Sequence, residues 1–277
     1  MSRLRLSVLS VMSAAVLLAV SCTSSDQADV ASAPVSSPPT APPSTAPPTT
    51  VLAVPPQGLG KGDSGDAVRV VETRLAELHF EVGAVDGVFD DDTVYGVQAF
   101  QKLTGLPKDG RVTQPVADKL ATTTPPPPLV AGGGATRVEI DLARQLLFLY
   151  ESDTLSKVFT TSTATNQEFC DEGRCRVAVT PPGAFRVDYF KPGWDESDLG
   201  RLYNPVYFNP KDGIAIHGFP EVPPDPASHG CVRIPMTAAE WFHTKVPKGT
   251  PVYVLDGTTP VGPLAPGDPG AAGPSEG

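Results

Sequence analysis

Six consecutive residues carry the clearest chemistry in this chain: Ser228-His229-Gly230-Cys231-Val232-Arg233, with a second histidine, His217, upstream. A thiol near an imidazole can lose its proton, and the thiolate is the nucleophile. Gly230 lets the backbone turn sharply and come close to a substrate. Backbone N–H groups beside Cys231 would then face a developing oxyanion. In an extended chain His229 and Cys231 lie on one side, with Cα atoms about 6.6 Å apart. His217 ends the run Gly213-Ile-Ala-Ile216, where Ile214 and Ile216 face a core and direct His217 to the opposite side. Spacing alone leaves open which histidine is the base.

The four cysteines are Cys22, Cys170, Cys175 and Cys231. Cys170 and Cys175 are five apart in a polar stretch, spaced for a local bridge in an oxidising compartment. A zinc site built from them and the histidines lacks the usual short Cys-x2-Cys pair, so no metal or other cofactor is expected. Cys22, in the N-terminal segment, and Cys231 are left over; if the chain is exported and lipidation consumes Cys22, the unpaired Cys231 calls for an explanation.

The elements that must position these residues follow from periodicity. Arg137 to Leu142 alternates strictly, with Val138, Ile140 and Leu142 on one face. Further strands are expected over 145–150, 155–162, 183–189, 203–209, 213–217 and 251–255. Residues 237–246 read as a helix, with Thr237 as its cap and Glu240 completing a capping box. Many short strands with Gly/Pro turns predict a mainly β, sandwich- or barrel-like domain over 136–256. Residues 58–121 are helical instead. Val68, Val71, Leu75 and Leu78 follow Asp66 as cap; Thr93, Val94, Val97, Phe100 and Leu103 form a second stretch; a third begins near Thr113 with Pro115 in its first turn. A small three-helix domain is the expectation, with Phe89 and Phe100 in its core.

The rest of the 277 residues is punctuation, rich in the chain's 32 Pro and 26 Gly. Residues 22–57 form a Pro/Ser/Thr linker that, if extended, reaches roughly 100 Å at about 3.1 Å per residue. A second linker spans 122–135 with Pro125 to Pro128, and the tail 257–277 is expected to be disordered. At the N-terminus, Arg3 and Arg5 precede the apolar run Leu6 to Val20, which reads as a signal peptide over 1–21. Its end, Leu18-Ala19-Val20-Ser21-Cys22, resembles a bacterial lipoprotein signal, which implies lipidation of Cys22 and membrane attachment through that lipid. An ordinary cleavage site with Cys22 incidental is the alternative; both imply export. A net charge of −10 without basic clusters excludes nucleic acid as a partner.

Two resemblances add to this reading. Gly62-Asp63, Gly65, Val68, Leu75, Asp86-Gly87-Val88-Phe89, Thr93, Val97, Phe100-Gln101 and Asp109-Gly110 resemble the helical peptidoglycan-binding module, with Asp90 and Glu72 where that family usually has Gly and Gln. Residues 136–256 resemble the L,D-transpeptidase catalytic domain. The likeness runs through Ile140-Asp141-Leu142, Arg144-Gln145, Thr180-Pro181-Pro182-Gly183, Tyr203-Asn204-Pro205, Ile216-His217-Gly218 and the Ser228 to Arg233 segment. Ten residues separate His217 from Ser228, a shorter gap than is common, which implies a trimmed covering loop.

The second resemblance implies roles. Cys231 attacks the carbonyl of the third stem residue of peptidoglycan and expels terminal D-Ala. His217 is the general base, and His229 supports the site through Ser228 or a backbone carbonyl. Gly230 and Cys231 offer N–H groups to the oxyanion, and Arg233 holds a stem carboxylate. From their polar, Gly-flanked stretch, and not from the resemblance, Tyr203, Asn204 and Trp194 are expected to line the groove with Ser228, with core packing the alternative for the two aromatics. An amine acceptor gives a third-to-third crosslink; water gives a carboxypeptidase, and a protein amine gives wall attachment. Acylation by carbapenems is implied as well. A non-catalytic wall-binding lipoprotein is the reading from a different class.

Overall fold

The computed structural model describes residues 52–270 except 172, 198 and 269. The signal peptide, Cys22 and most of the first linker lie outside the described residues, as do 271–277. No helix among the described residues is long and apolar enough to cross a membrane.

Three helices come first: α1 (Asp66–Glu77), α2 (Asp91–Thr104) and α3 (Gln114–Thr122). Asp66 is not the cap of α1. Gly65 takes that position, and Asp66 sits in the first turn, where its charge complements the helix dipole. Asp90 explains its own presence by capping α2, accepting from the Thr93 N–H at 2.9 Å. Glu72 is fully buried yet satisfied, accepting from Gly87 N at 2.8 Å and Thr93 Oγ1 at 3.1 Å. Phe89 and Phe100 are fully buried core residues, as expected.

Two five-membered β-layers follow. The first runs β3 (Thr154–Thr160), β2 (Leu146–Glu151), β1 (Arg137–Asp141), β12 (Pro251–Leu255) and β6 (Gly183–Arg186). The second runs β11 (Val232–Pro235), β10 (Ile214–Phe219), β9 (Gly200–Asn209) and β7 (Tyr189–Phe190), with β8 (Trp194–Ser197) also on β9. A separate hairpin pairs β4 (Glu168–Asp171) with β5 (Arg174–Val177). The Cys170–Cys175 disulfide joins these strands, so the bridge sits in a hairpin rather than a loop. Helix α4 (Met236–Lys245) packs on the second sheet.

One hydrophobic core lies between the sheets, where Ile140, Leu147, Leu149 and Phe159 meet Val206, Phe208, Ile216, Val232 and Ile234. The other face of the first sheet is covered too. Leu146, Phe148, Tyr150, Leu155 and Val158 share a core with the helices. The run Leu146-Leu-Phe-Leu-Tyr150 therefore lacks alternation because β2 is buried on both sides. Backbone joins the two modules as well: Val158 N donates to His79 O at 2.7 Å, and Glu81 N to Val158 O at 2.9 Å.

Three local expectations change. Thr237 does not cap α4; Pro235 holds the cap position, and the Thr237 hydroxyl donates to Asp92 of α2 at 2.6 Å. The second linker is docked: Val130 is buried and Leu129 N donates to Glu139 Oε2 at 2.7 Å. The tail is held as far as Asp268, because the Arg186 guanidinium donates to the carbonyls of Ala265 and Asp268.

Candidate active site

Strand alternation sets the site. In β10 and β11, Ile214, Ile216, Val232 and Ile234 point into the core, so His217 and Arg233 point the other way. The two strands are parallel and in register, which makes His217 and Arg233 immediate neighbours. Cys231, one residue before β11, packs on Ala215, Leu202 and Tyr207 of the same outer face. Cys231, His217, His229, Gly230, Ser228 and Arg233 all line one cleft of about 260 Å³.

Cys231 is half-buried and is the free cysteine among the described residues. Its Sγ lies 3.6 Å from Gly213 O. Burial pushes the thiol above its ordinary pKa, while the Ala215 N–H and the Arg233 charge favour the thiolate. His217 is 4% exposed, and burial holds its pKa down to about 4, with Arg233 acting in the same direction. Its Nδ1 is 2.9 Å from Gly218 O. A carbonyl only accepts, so Nδ1 carries the proton and Nε2 keeps a free lone pair. At neutral pH the resting pair is thus thiol and neutral imidazole, with the proton still to be moved.

The turn that presents Cys231 is bonded internally. Ser228 Oγ donates to Cys231 O at 2.6 Å and accepts from Gly230 N at 3.2 Å. Two expectations change as a result. Ser228 is buried and its hydroxyl belongs to the turn, not to a ligand. Gly230 N–H, expected to face the oxyanion, is engaged by that same hydroxyl instead. A Cβ at Gly230 would sit 3.3 Å from Val179 O, a tight contact that glycine avoids. Its carbonyl accepts from the buried Thr180 hydroxyl at 2.6 Å.

His229 is exposed and packs against Phe169 of β4, with ring centroids 4.5 Å apart and the planes tilted by 45°; among the described residues that ring contact stands in place of the expected hydrogen bond to Ser228 or a carbonyl. Among the described residues Arg233 Nε is buried without a hydrogen-bond partner, and the guanidinium lies 4.1 Å over the Phe219 ring. A charge so placed fits a carboxylate brought into the cleft.

Trp194, Tyr203 and Asn204 do not line the cleft. Tyr203 packs into the core and against Trp194, at 5.1 Å between rings. Asn204 has φ 47° and accepts from Gly193 N at 2.7 Å. Asn204 and Pro205 together oppose His217, because β9 bulges between the Val206–Ile216 and Tyr203–Gly218 pairs. The walls come instead from Leu199, Arg201, Leu202, Tyr207, Phe219 and Arg176. Thr180, in the turn Thr180-Pro181-Pro182-Gly183, is a supporting residue that the motif does not reveal: its hydroxyl joins Ala164 N to Gly230 O.

Comparison with known proteins agrees with this geometry. Residues 135–254 match the L,D-transpeptidase catalytic domain and residues 64–120 match the peptidoglycan binding domain. A solved L,D-transpeptidase from Xylanimonas cellulosilytica DSM 15894 is 33% identical, covering 73% of this chain and 100% of that one, with a TM-score of 0.66. An L,D-transpeptidase (Yku) from Stackebrandtia nassauensis is 23% identical over 75% of this chain and 100% of that one, at a TM-score of 0.42, and adds nothing to the assignment. A comparison with curated proteins returned no match.

Proposed function

Since the chain belongs to the L,D-transpeptidase family and is a transpeptidase of peptidoglycan, we propose that its acyl transfer runs through a thioester on Cys231. The observation that supports this is the pairing of a free, half-buried thiol with a neutral histidine whose Nδ1 is tied to Gly218 O, in one cleft.

Cys231 Sγ attacks the carbonyl carbon of the third stem residue as its proton passes to His217 Nε2. The oxyanion forms against Cys231 N–H. Collapse breaks the C–N bond, and the departing D-Ala amine takes the proton from His217. An amine from a second stem then attacks the thioester and gives its proton to Nε2. The C–S bond breaks, a third-to-third amide forms and the thiol is restored. Arg233 holds a stem carboxylate, which orients the carbonyl toward sulfur.

Intact-mass spectrometry after incubation with a carbapenem tests the nucleophile. One covalent adduct on the wild type, absent in Cys231→Ala, is expected; an unmodified wild type overturns the reading. Product analysis with purified stem peptides separates dimer from hydrolysed monomer. Export and lipid anchoring at Cys22 complete the proposal, with the enzyme on the outer face of the cytoplasmic membrane, toward the wall. Cys22→Ser is expected to release it from membranes, and unchanged association overturns the anchor.

A further inference from the structure

Lys102 is a lysine of the helical module buried inside the catalytic domain. It is 8% exposed, and its ammonium donates to Thr160 Oγ1 at 2.7 Å, Thr161 O at 2.9 Å and Gln145 O at 3.2 Å. Three N–H donors meet three oxygens, so the group is fully satisfied. An apolar side chain would fill the same space between helix and sheet without the cost of burying a charge. The position therefore holds something that packing alone does not.

The residues it grips lead to the catalytic turn. Gln145 Nε2 donates to Thr163 Oγ1 at 2.8 Å, and Thr163 N donates to Gln145 Oε1 at 2.8 Å. Thr163 O accepts from both Ala227 N and Ser228 N at 2.9 Å. Ser162 pairs with Arg233 on both backbone sides, at 3.1 and 3.3 Å, and its hydroxyl donates to Asp225 O at 2.7 Å. Ala164 N donates to Thr180 Oγ1 at 3.1 Å, and that hydroxyl holds Gly230 O. Residues 160–165 thus form a rail with Lys102 at one end and the Cys231 turn along its side.

The helices grip the other flank of the same loop. Tyr95 Oη donates to Pro220 O and accepts from Val222 N, both at 3.4 Å. Lys108 forms an ion pair with Asp225. The segment between the two histidines is therefore bracketed by α2 and the residues that follow it.

We propose that Lys102 is a positioning residue for the Cys231 turn, and that the helical module acts as the outer wall which sets the catalytic loop. The proposal rests on Cys231 as nucleophile. Its first readout is the pH dependence of Cys231 alkylation by iodoacetamide, which needs no transpeptidation. Lys102→Met in the full-length protein is expected to move that profile to lower pH, because a loosened turn hydrates the thiol. The kcat for stem peptides is expected to fall about tenfold, with KM within about twofold, as loss of alignment does. A Lys102→Met protein that is merely less heat-stable, with the alkylation profile and kcat of the wild type, overturns the proposal. Should that variant fail to fold, Tyr95→Phe with Lys108→Ala, which leaves Lys102 and its buried partners in place, decides: a shifted profile supports the wall and an unchanged one overturns it. Failure of the transpeptidase reading is separate, and shows as a wild type without a carbapenem adduct.

Discussion

Asn204 and His217 face each other across a β-bulge, with Asn204 in the left-handed region at φ 47° and His217 buried at 4% exposure. The bulge gives the strand opposite His217 one extra residue, and Asn204 holds it by accepting from Gly193 N. Asn204→Ala loses that bond and places a less tolerant residue at positive φ. It should cost about 2 kcal/mol of stability. Thermal unfolding checks this, and KM should stay within about twofold because the side chain is outside the cleft.

His217 sets the pH response. Burial keeps its pKa near 4 in the folded chain against 6.5 for an unperturbed histidine. The acid limb of kcat/KM should therefore lie near pH 4, and activity should vary little between pH 5 and 7. The stability sign follows from the same depression. Between pH 6.5 and 4 the unfolded chain binds a proton that the folded chain does not, so stability from this group is complete above 6.5 and falls as pH drops towards 4. A pH titration of urea unfolding for wild type against His217→Gln isolates that contribution.

Thr180 is expected to matter more than its distance in sequence from Cys231 implies. Thr180→Val keeps the shape but leaves Gly230 O, a buried carbonyl, without its donor. A penalty of about 1–3 kcal/mol is expected. Turnover should fall with it, since the same carbonyl fixes the turn that carries the thiol. Stopped-flow acylation by a carbapenem compares the two proteins directly.

The β4–β5 hairpin supplies the ring that covers His229. Phe169→Ala, or reduction of Cys170–Cys175, should raise KM for stem peptides several-fold while shifting the melting temperature little. Among the described residues the hairpin pairs with no other strand, and it is largely exposed. Steady-state kinetics with and without a thiol reductant measure the effect.

The reactive residues were legible because alternation is local. Ile214 and Ile216 mark the buried face of β10, and His217 follows on the other. The β4–β5 hairpin was not legible, since Glu168 to Asp171 and Arg174 to Val177 lie exposed and carry no apolar period. Trp194 and Tyr203 misled for a related reason: aromatic residues near a Gly-flanked turn fit a groove or a core equally, and only the pairing of β8 with β9 decides. Thr237 and Glu240 spelled a capping box, but the threonine hydroxyl found Asp92, 145 residues away in the chain. Nothing in the helical period distinguishes Lys102 or Tyr95 from solvent-facing residues, because their partners lie far along the chain in the catalytic domain.

The hydrophobic interior that the three helices share with the first β-layer has a mechanical consequence. Two modules joined only by a proline tether would swing independently, and the thiol would sample many offsets from whatever the helices grip. Here Phe80, Phe100 and Leu75 lie in the same apolar interior as Phe148 and Val158, so that offset is fixed. Any group seated on the helices is thereby kept at one distance from the sulfur, and that distance changes only if this interior is split.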